Sequence, residues 1–245
     1  MSARQNFSMT GHPPQKRTTG AILVLAAALL TSCSTPLHTL VVHTASTPRS
    51  PSLDTAALAR EPVATLGLAA PAALQGLGPA LSNALSAALL QVSPPIRAIP
   101  TYETLNRLND QGLAVEYGEL VSGFARSGIL ERERLRRIGE ALGSPYVLQP
   151  GLALFEQAVA DKFEFAGFKA VKTRLMTLRL WLQLWDTRTG QILWESSGEV
   201  TVAAQLLTKE SAAVSLEDIA QTLWSRIIQD GLLGEVTSSR FFFNN

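Results

Sequence analysis

Cysteine and histidine are nearly absent from this chain, and their scarcity removes whole classes of chemistry. Among 245 residues there is one cysteine and there are three histidines. One thiol excludes an internal disulfide and any cage of several thiolates. The histidines are His12, His38 and His43, so the stretch expected to form the folded domain, 61–233, holds neither histidine nor cysteine. Triads that need histidine, thiol nucleophiles and His-ligated zinc or iron are therefore excluded from that stretch. A charge of one sign is also lacking. The 21 basic and 20 acidic residues give a formal +1, with no general pull toward nucleic acid. No phosphate-cradling glycine loop is present, because Gly118 and Gly123 stand isolated in a helical pattern.

What is present begins with an address. Arg4, Lys16 and Arg17 are the charged residues ahead of position 33, and all are positive. The apolar run Ala21–Leu30 follows. Ten residues of helix rise only about 15 Å, half of a hydrocarbon core of about 30 Å, so a permanent span is not expected. A basic start, a short apolar stretch and a small-residue exit describe a secretory signal peptide. It closes on Leu30-Thr31-Ser32-Cys33, which resembles the bacterial lipobox. That resemblance implies cleavage before Cys33 and attachment of acyl chains to it, with Ser34 resembling the outer-membrane sorting pattern. Several chains make a stable anchor where one holds only reversibly. The covalent lipid is the expected non-protein group, and no cofactor or metal is expected. Loss of the three basic residues with 1–32 leaves 18 basic against 20 acidic groups, a formal −2, which argues against polybasic membrane binding.

Composition divides the remainder. Residues 33–60 mix Ser, Thr, Pro and Ala and read as a lipid-anchored tether, although Leu37–Val42 has the pattern to pair with a sheet edge. Eleven of the 13 prolines lie at or before Pro100 and 15 of the 16 aromatics lie after it. The dense core is therefore expected from residues 101–233, within a single α/β domain over 61–233, with a tail at 234–245. Glu61–Ala69 suggests a short first strand. Leucines at 74, 77, 81, 85 and 89 predict a helix over about 75–91. Pro95–Pro100 is expected to be extended, with Thr101 capping a helix that runs through Asp110. Two more helices are marked by Tyr117, Leu120, Val121 and Phe124 and by Leu135, Ile138 and Leu142, the second closed by Gly143. Ser215-Leu-Glu-Asp218 looks like a capping box before a stripe at Ile219, Leu223, Trp224, Ile227 and Ile228.

Three long strands are predicted at Tyr146–Glu156, Arg174–Thr187 and Gln191–Ala203. Because strand side chains alternate, Met176, Leu178, Leu180, Leu182 and Leu184 share one face, and Thr177, Arg179, Trp181, Gln183 and Trp185 share the other. The third strand is expected to present Ile192, Trp194, Val200 and Val202 to the core. A turn through Thr187–Gln191, with Gly190 at positive φ, pairs Leu184 with Trp194, Leu178 with Val200 and Met176 with Val202. On the opposite face it pairs Gln183 with Glu195 and Arg179 with Glu199. Apolar meets apolar and opposite charges meet, as register demands.

Candidate surfaces are few. Glu195 and Glu199 share a face but lie about 13 Å apart along a strand, too far for a glycosidase pair. Arg132, Arg134, Arg136 and Arg137 alternate with glutamates as on a solvated helix face, with Glu133–Arg137 as an i,i+4 pair. Lys162, Lys169, Lys172 and Arg174 surround Phe163, Phe165 and Phe168 between two strands, a composition suited to an envelope surface or partner, the other expectation being plain packing of the loop. Arg179, Trp181 and Trp185 have hot-spot composition if exposed, the other expectation being a helix that covers them.

Leu135–Gly151 resembles the helix-to-strand step of the TolB amino-terminal-like superfamily. Leu180–Glu195, the strand–D-x-x-T-G–strand hairpin, resembles its hairpin. That superfamily includes the curli secretion-channel lipoprotein CsgG and the lipoprotein activators of penicillin-binding proteins. The resemblance implies a central mixed sheet ending in a long antiparallel meander, flanked by helices. It implies assembly or partner regulation and carries over no catalytic residues. Residues 157–173 are too few and too charged for the membrane hairpins of a curli-type channel. The expectation is a non-enzymatic, outer-membrane-anchored periplasmic lipoprotein with an envelope protein partner and no nucleic-acid partner. Its alternatives are an oligomeric component of an export apparatus and, third, an envelope-glycan hydrolase.

Overall fold

Alternation of leucine with larger polar or aromatic residues along 178–185 dictates a sheet that must be covered on both faces, and the chain supplies two helical layers to do so. The structure, a computed structural model, describes residues 38–161, 172–206 and 215–234. Six strands form one mixed sheet: β1 (His38–Ser46), β2 (Val63–Thr65), β3 (Ala98–Ile99), β4 (Tyr146–Asp161), β5 (Lys172–Asp186) and β6 (Gln191–Leu206). Their spatial order is β1-β6-β5-β4-β2-β3. The long strands β4, β5 and β6 and the edge strand β1 pair antiparallel, whereas β2 lies parallel to both β3 and β4. The expected mixed α/β architecture with a long antiparallel meander is what the chain adopts.

The helices are α1 (Ala57–Arg60), α2 (Gly78–Gln91), α3 (Thr101–Asp110), α4 (Ala114–Ser127), α5 (Arg132–Leu142) and α6 (Leu216–Arg226), the last continuing as a π-helical turn over Ile227–Leu233. One face of the sheet buries Leu178, Leu180, Leu182, Leu184, Trp194 and Val200 under Leu81, Leu85 and Leu89 of α2 and Ile219, Leu223 and Trp224 of α6. The other face buries Val147 and Trp185 under Leu108 of α3, Leu120 and Phe124 of α4, and Leu135, Ile138 and Leu142 of α5. Each fully buried leucine or isoleucine contributes about 1.5–3 kcal/mol by leaving water.

The β5–β6 register is the one expected: Met176 opposite Val202, Leu178 opposite Val200, Arg179 opposite Glu199, Gln183 opposite Glu195 and Leu184 opposite Trp194. The turn differs by one residue. Asp186, not Thr187, faces Gln191, and a bulge follows at Leu184/Trp185. Gly190 has φ +70°, and the Asp186 carboxylate accepts the N–H groups of Arg188 (2.7 Å) and Thr189 (3.0 Å). The extra residue in β6 reverses the phase beyond it. Leu193 is therefore buried and Ile192 is exposed, opposite to the burial expected for Ile192.

The tether expected to residue 60 is corrected from residue 38 onward. Leu40 and Val42 pack against the core as β1 closes the free edge of β6, with Val42 opposite Val200. The N–H groups of Thr47 and Ser50 continue the contact by donating to Glu195 and Leu193. Serine- and threonine-rich flanks gave this stretch the composition of a linker, but a period-2 pair of apolar residues suffices for an edge strand. His38 and His43 consequently belong to the folded sheet, with His43 opposite Glu199. Pro100, not Thr101, stands at the N-cap of α3. It has no N–H to satisfy, and Thr101 instead donates its hydroxyl to the Leu66 carbonyl. Ser215 caps α6 as expected, accepting the Asp218 N–H at 3.0 Å.

Candidate functional site

On the face covered by α3–α5 the helices do not reach the whole sheet. The gap is a cleft of about 700 Å³ walled by Leu68, Val121, Phe124 and Leu152, with Trp181, Gln75, Gln149, Gln183 and Glu195 also lining it. Trp181 lies directly opposite Gly151 in the β4–β5 ladder. The indole crosses that glycine so closely that a Cβ there would fall 1.9 Å from Trp181 Cε2. Its ring centroid is 5.9 Å from that of Phe124, with the planes tilted by 37°. Trp181 is thus held between strand and helix as part of the cleft wall.

The polar members form a directional chain. Trp185 is 2% exposed, and its indole N–H donates to Gln183 Oε1 at 3.1 Å. Indole can only donate, so the Gln183 oxygen must face it and the amide nitrogen must face the other way. That nitrogen donates to Glu195 Oε2 at 2.5 Å. The backbone of Glu195 is gripped as well, since its N–H donates to Thr47 Oγ1 at 3.1 Å. Gln149, also 2% exposed, spends its amide nitrogen on the carbonyls of Gly67 and Pro150 at 3.0 and 2.9 Å, which turns its carbonyl oxygen away from them. Nearby, the Gly67 N–H donates to the Tyr117 hydroxyl at 2.8 Å. Burial pushes the Tyr117 phenol above its ordinary range, partly offset by that bond.

The sequence-derived candidates separate. Trp185 is covered by helices and belongs to the core, so it offers no exposed partner surface. Trp181 is half-buried in the cleft wall, and Arg179 lies at the surface in an ion pair with Glu199, Nε to Oε2 at 2.8 Å. Cys33, Phe163, Phe165, Phe168 and the Phe241–Phe243 tail lie outside the described residues. The arginines of α5 are a solvated, paired face: Arg134 with Glu119 at 2.7 Å, Arg136 with Glu140 at 2.6 Å and Arg137 with Glu116 at 2.8 Å. The expected Glu133–Arg137 pair is replaced by Glu133–Arg136 at 3.2 Å, because α4 supplies Glu116 to Arg137 across the helix pair. The Glu131 carboxylate caps α5, and the N–H groups of Glu133 and Arg134 hold it below its ordinary range. Sequence reasoning missed the Trp185–Gln183–Glu195 chain. Its signal was the Gln183–Glu195 register with a tryptophan two residues along the same face.

Among the described residues, no group of three or more His, Cys, Asp or Glu side chains could hold a metal ion. Also among them, no helix is long and apolar enough to cross a membrane. No family model matches the chain, and no curated protein matches it. Solved structures do resemble it. A PelC dodecamer from Paraburkholderia phytofirmans is 14% identical, with 77% of this chain and 95% of that one covered at a TM-score of 0.38. Lipoprotein GNA1162 from Neisseria meningitidis is 14% identical, with 69% and 96% covered at 0.40. The hypothetical protein CT253 from Chlamydia trachomatis is 11% identical, with 69% and 93% covered at 0.37. At such identities and TM-scores the likeness carries no argument about function.

Proposed function

We propose that this is a non-enzymatic lipoprotein, anchored through acyl chains on Cys33 to the periplasmic face of the outer membrane, where it serves as an assembly or accessory factor for an envelope partner. One observation supports the reading most: β1 begins at His38, five residues beyond Cys33. Five residues span at most about 18 Å, far less than the leash a tether to residue 60 would give. His38 faces Ala204, and Lys172 faces both Leu206 and Asp161. Asp161 and Lys172, the strand ends between which Lys162, Phe163, Phe165, Phe168 and Lys169 fall in sequence, thus lie at the end of the sheet where β1 starts. The basic and aromatic composition of that stretch suits contact with headgroups or a membrane partner. The resemblance of Leu135–Gly151 and Leu180–Glu195 to the TolB amino-terminal-like superfamily supports the same reading.

An oligomeric component of an export apparatus is the second reading, supported by β1, which stands at the sheet edge with one side unpaired among the described residues. Replacing Cys33 by Ala in cells is expected to release the chain from the membrane fraction into the soluble periplasm. Retention in membranes would refute the anchor. Crosslinking from position 165 is expected to capture lipid or an envelope protein, and crosslinks confined to the domain would refute that surface. Particle size in detergent separates accessory monomer from closed ring.

A further inference from the structure

We propose that the cleft between α4 and the sheet is a binding site for a small organic cation, an ammonium or guanidinium head on an apolar body, with Glu195 as its charged anchor. The walls are mostly apolar, and the volume of about 700 Å³ falls in the range of small-ligand sites. Among the residues lining it, Glu195 is the one that carries a formal charge. No Lys or Arg of the described residues forms an ion pair with it. The wider surface differs, since Arg179, Arg134, Arg136, Arg137 and Arg188 each meet a carboxylate.

The carboxylate is also prearranged. Because buried Trp185 can only donate, Gln183 presents N–H to Glu195, and Glu195 is committed to accepting. One oxygen is held by that bond, and the other remains to accept from an occupant. A ligand must therefore bring a donor, and a cationic donor gains most, because a charge-assisted bond beside apolar walls is stronger than a neutral one. The acceptor end of Gln149 offers a second polar contact on the same wall. An anionic ligand would meet a carboxylate with no Lys or Arg among the described residues lining the cleft.

The test compares phenethylammonium with neutral 2-phenylethanol on the purified full chain in a neutral detergent, at low and high salt. Tryptophan emission serves as the readout, because Trp181 is half-buried while Trp185, Trp194 and Trp224 are at most 2% exposed. Phenethylammonium should bind saturably and about tenfold tighter than the alcohol, with the advantage falling at high salt. Glu195→Gln keeps an oxygen that can accept from Gln183. It should weaken phenethylammonium to about the affinity of the alcohol, abolishing the preference, while the thermal midpoint stays unchanged. Equal affinity for the two probes, no saturable binding of the cation, or an undiminished preference in E195Q would each overturn the proposal.

Discussion

Gly139 sets helix propensity against packing, and the sign of one substitution decides between them. It lies in the middle of α5, where Ala ordinarily exceeds Gly by about 1 kcal/mol. Here a Cβ on residue 139 would fall 2.4 Å from Thr187 Cβ and 2.5 Å from its Oγ1. Thr187 cannot swing aside freely. It is 3% exposed, and its hydroxyl donates to the carbonyls of Ser144 and Pro145, each at 3.1 Å. Overpacking costs about 1–3 kcal/mol, and a lost hydrogen bond about 1. Against the propensity gain, Gly139→Ala should be less stable by about 1–3 kcal/mol. The controls are Gly118→Ala and Gly123→Ala in α4, where a Cβ meets nothing within 4 Å. Each should gain about 0.5–1 kcal/mol. Denaturant unfolding of the full chain measures all three, and pairing Gly139→Ala with Thr187→Gly should recover part of the loss as a coupling energy. A Gly139→Ala variant as stable as the parent would refute the close packing of α5 on the β5–β6 turn.

Two further outcomes follow from buried polar groups. Ser144 Oγ accepts the N–H of Ala64 at 3.0 Å and contacts the carbonyls of Pro62 and Tyr146, each at 2.7 Å. Ser144→Ala should cost about 1–3 kcal/mol and speed hydrogen exchange at the Ala64 amide. Unchanged exchange there would contradict the bond. Burial alone would raise the Asp186 carboxyl, but the N–H groups of Thr189 and Arg188 and the Arg188 guanidinium outweigh it and hold it below the ordinary 3.8. A depressed folded pKa contributes stability above the unfolded value that is lost as pH falls through the folded one. Asp186→Asn should therefore cost about 1 kcal/mol at pH 7, with the difference fading below 3.8. A deficit that persists in strong acid would point to packing instead.

The hairpin was legible because local chemistry determines it: Gly190 can take positive φ, and one register alone matches leucines with Trp194 and Val200 while pairing Arg179 with Glu199. The stripes of α5 and α6 were legible for the same reason, since each repeats one apolar face over several turns. Non-local cover was legible only as one of two expectations for Trp181 and Trp185. Trp185 reads as a mixed-face residue on its strand, and only the arrival of α3–α5 from a distant part of the chain makes it core. The β6 bulge reverses Ile192 and Leu193 without changing composition. β1 was legible only as an edge-pairing pattern at Leu37–Val42 within linker-like flanks, because its two inward residues gain their meaning from an edge of β6 more than 150 positions away. The cleft was hidden for the converse reason, being a place where helices fail to meet.

The entry of the chain through β1 also distinguishes the two ends of the sheet. From Lys172 to Asp186, β5 extends about 46 Å at 3.3 Å per residue, and β1 joins the sheet beside the near end of that length. The β5–β6 turn therefore lies at the opposite end of the sheet from the strand end at which β1 enters.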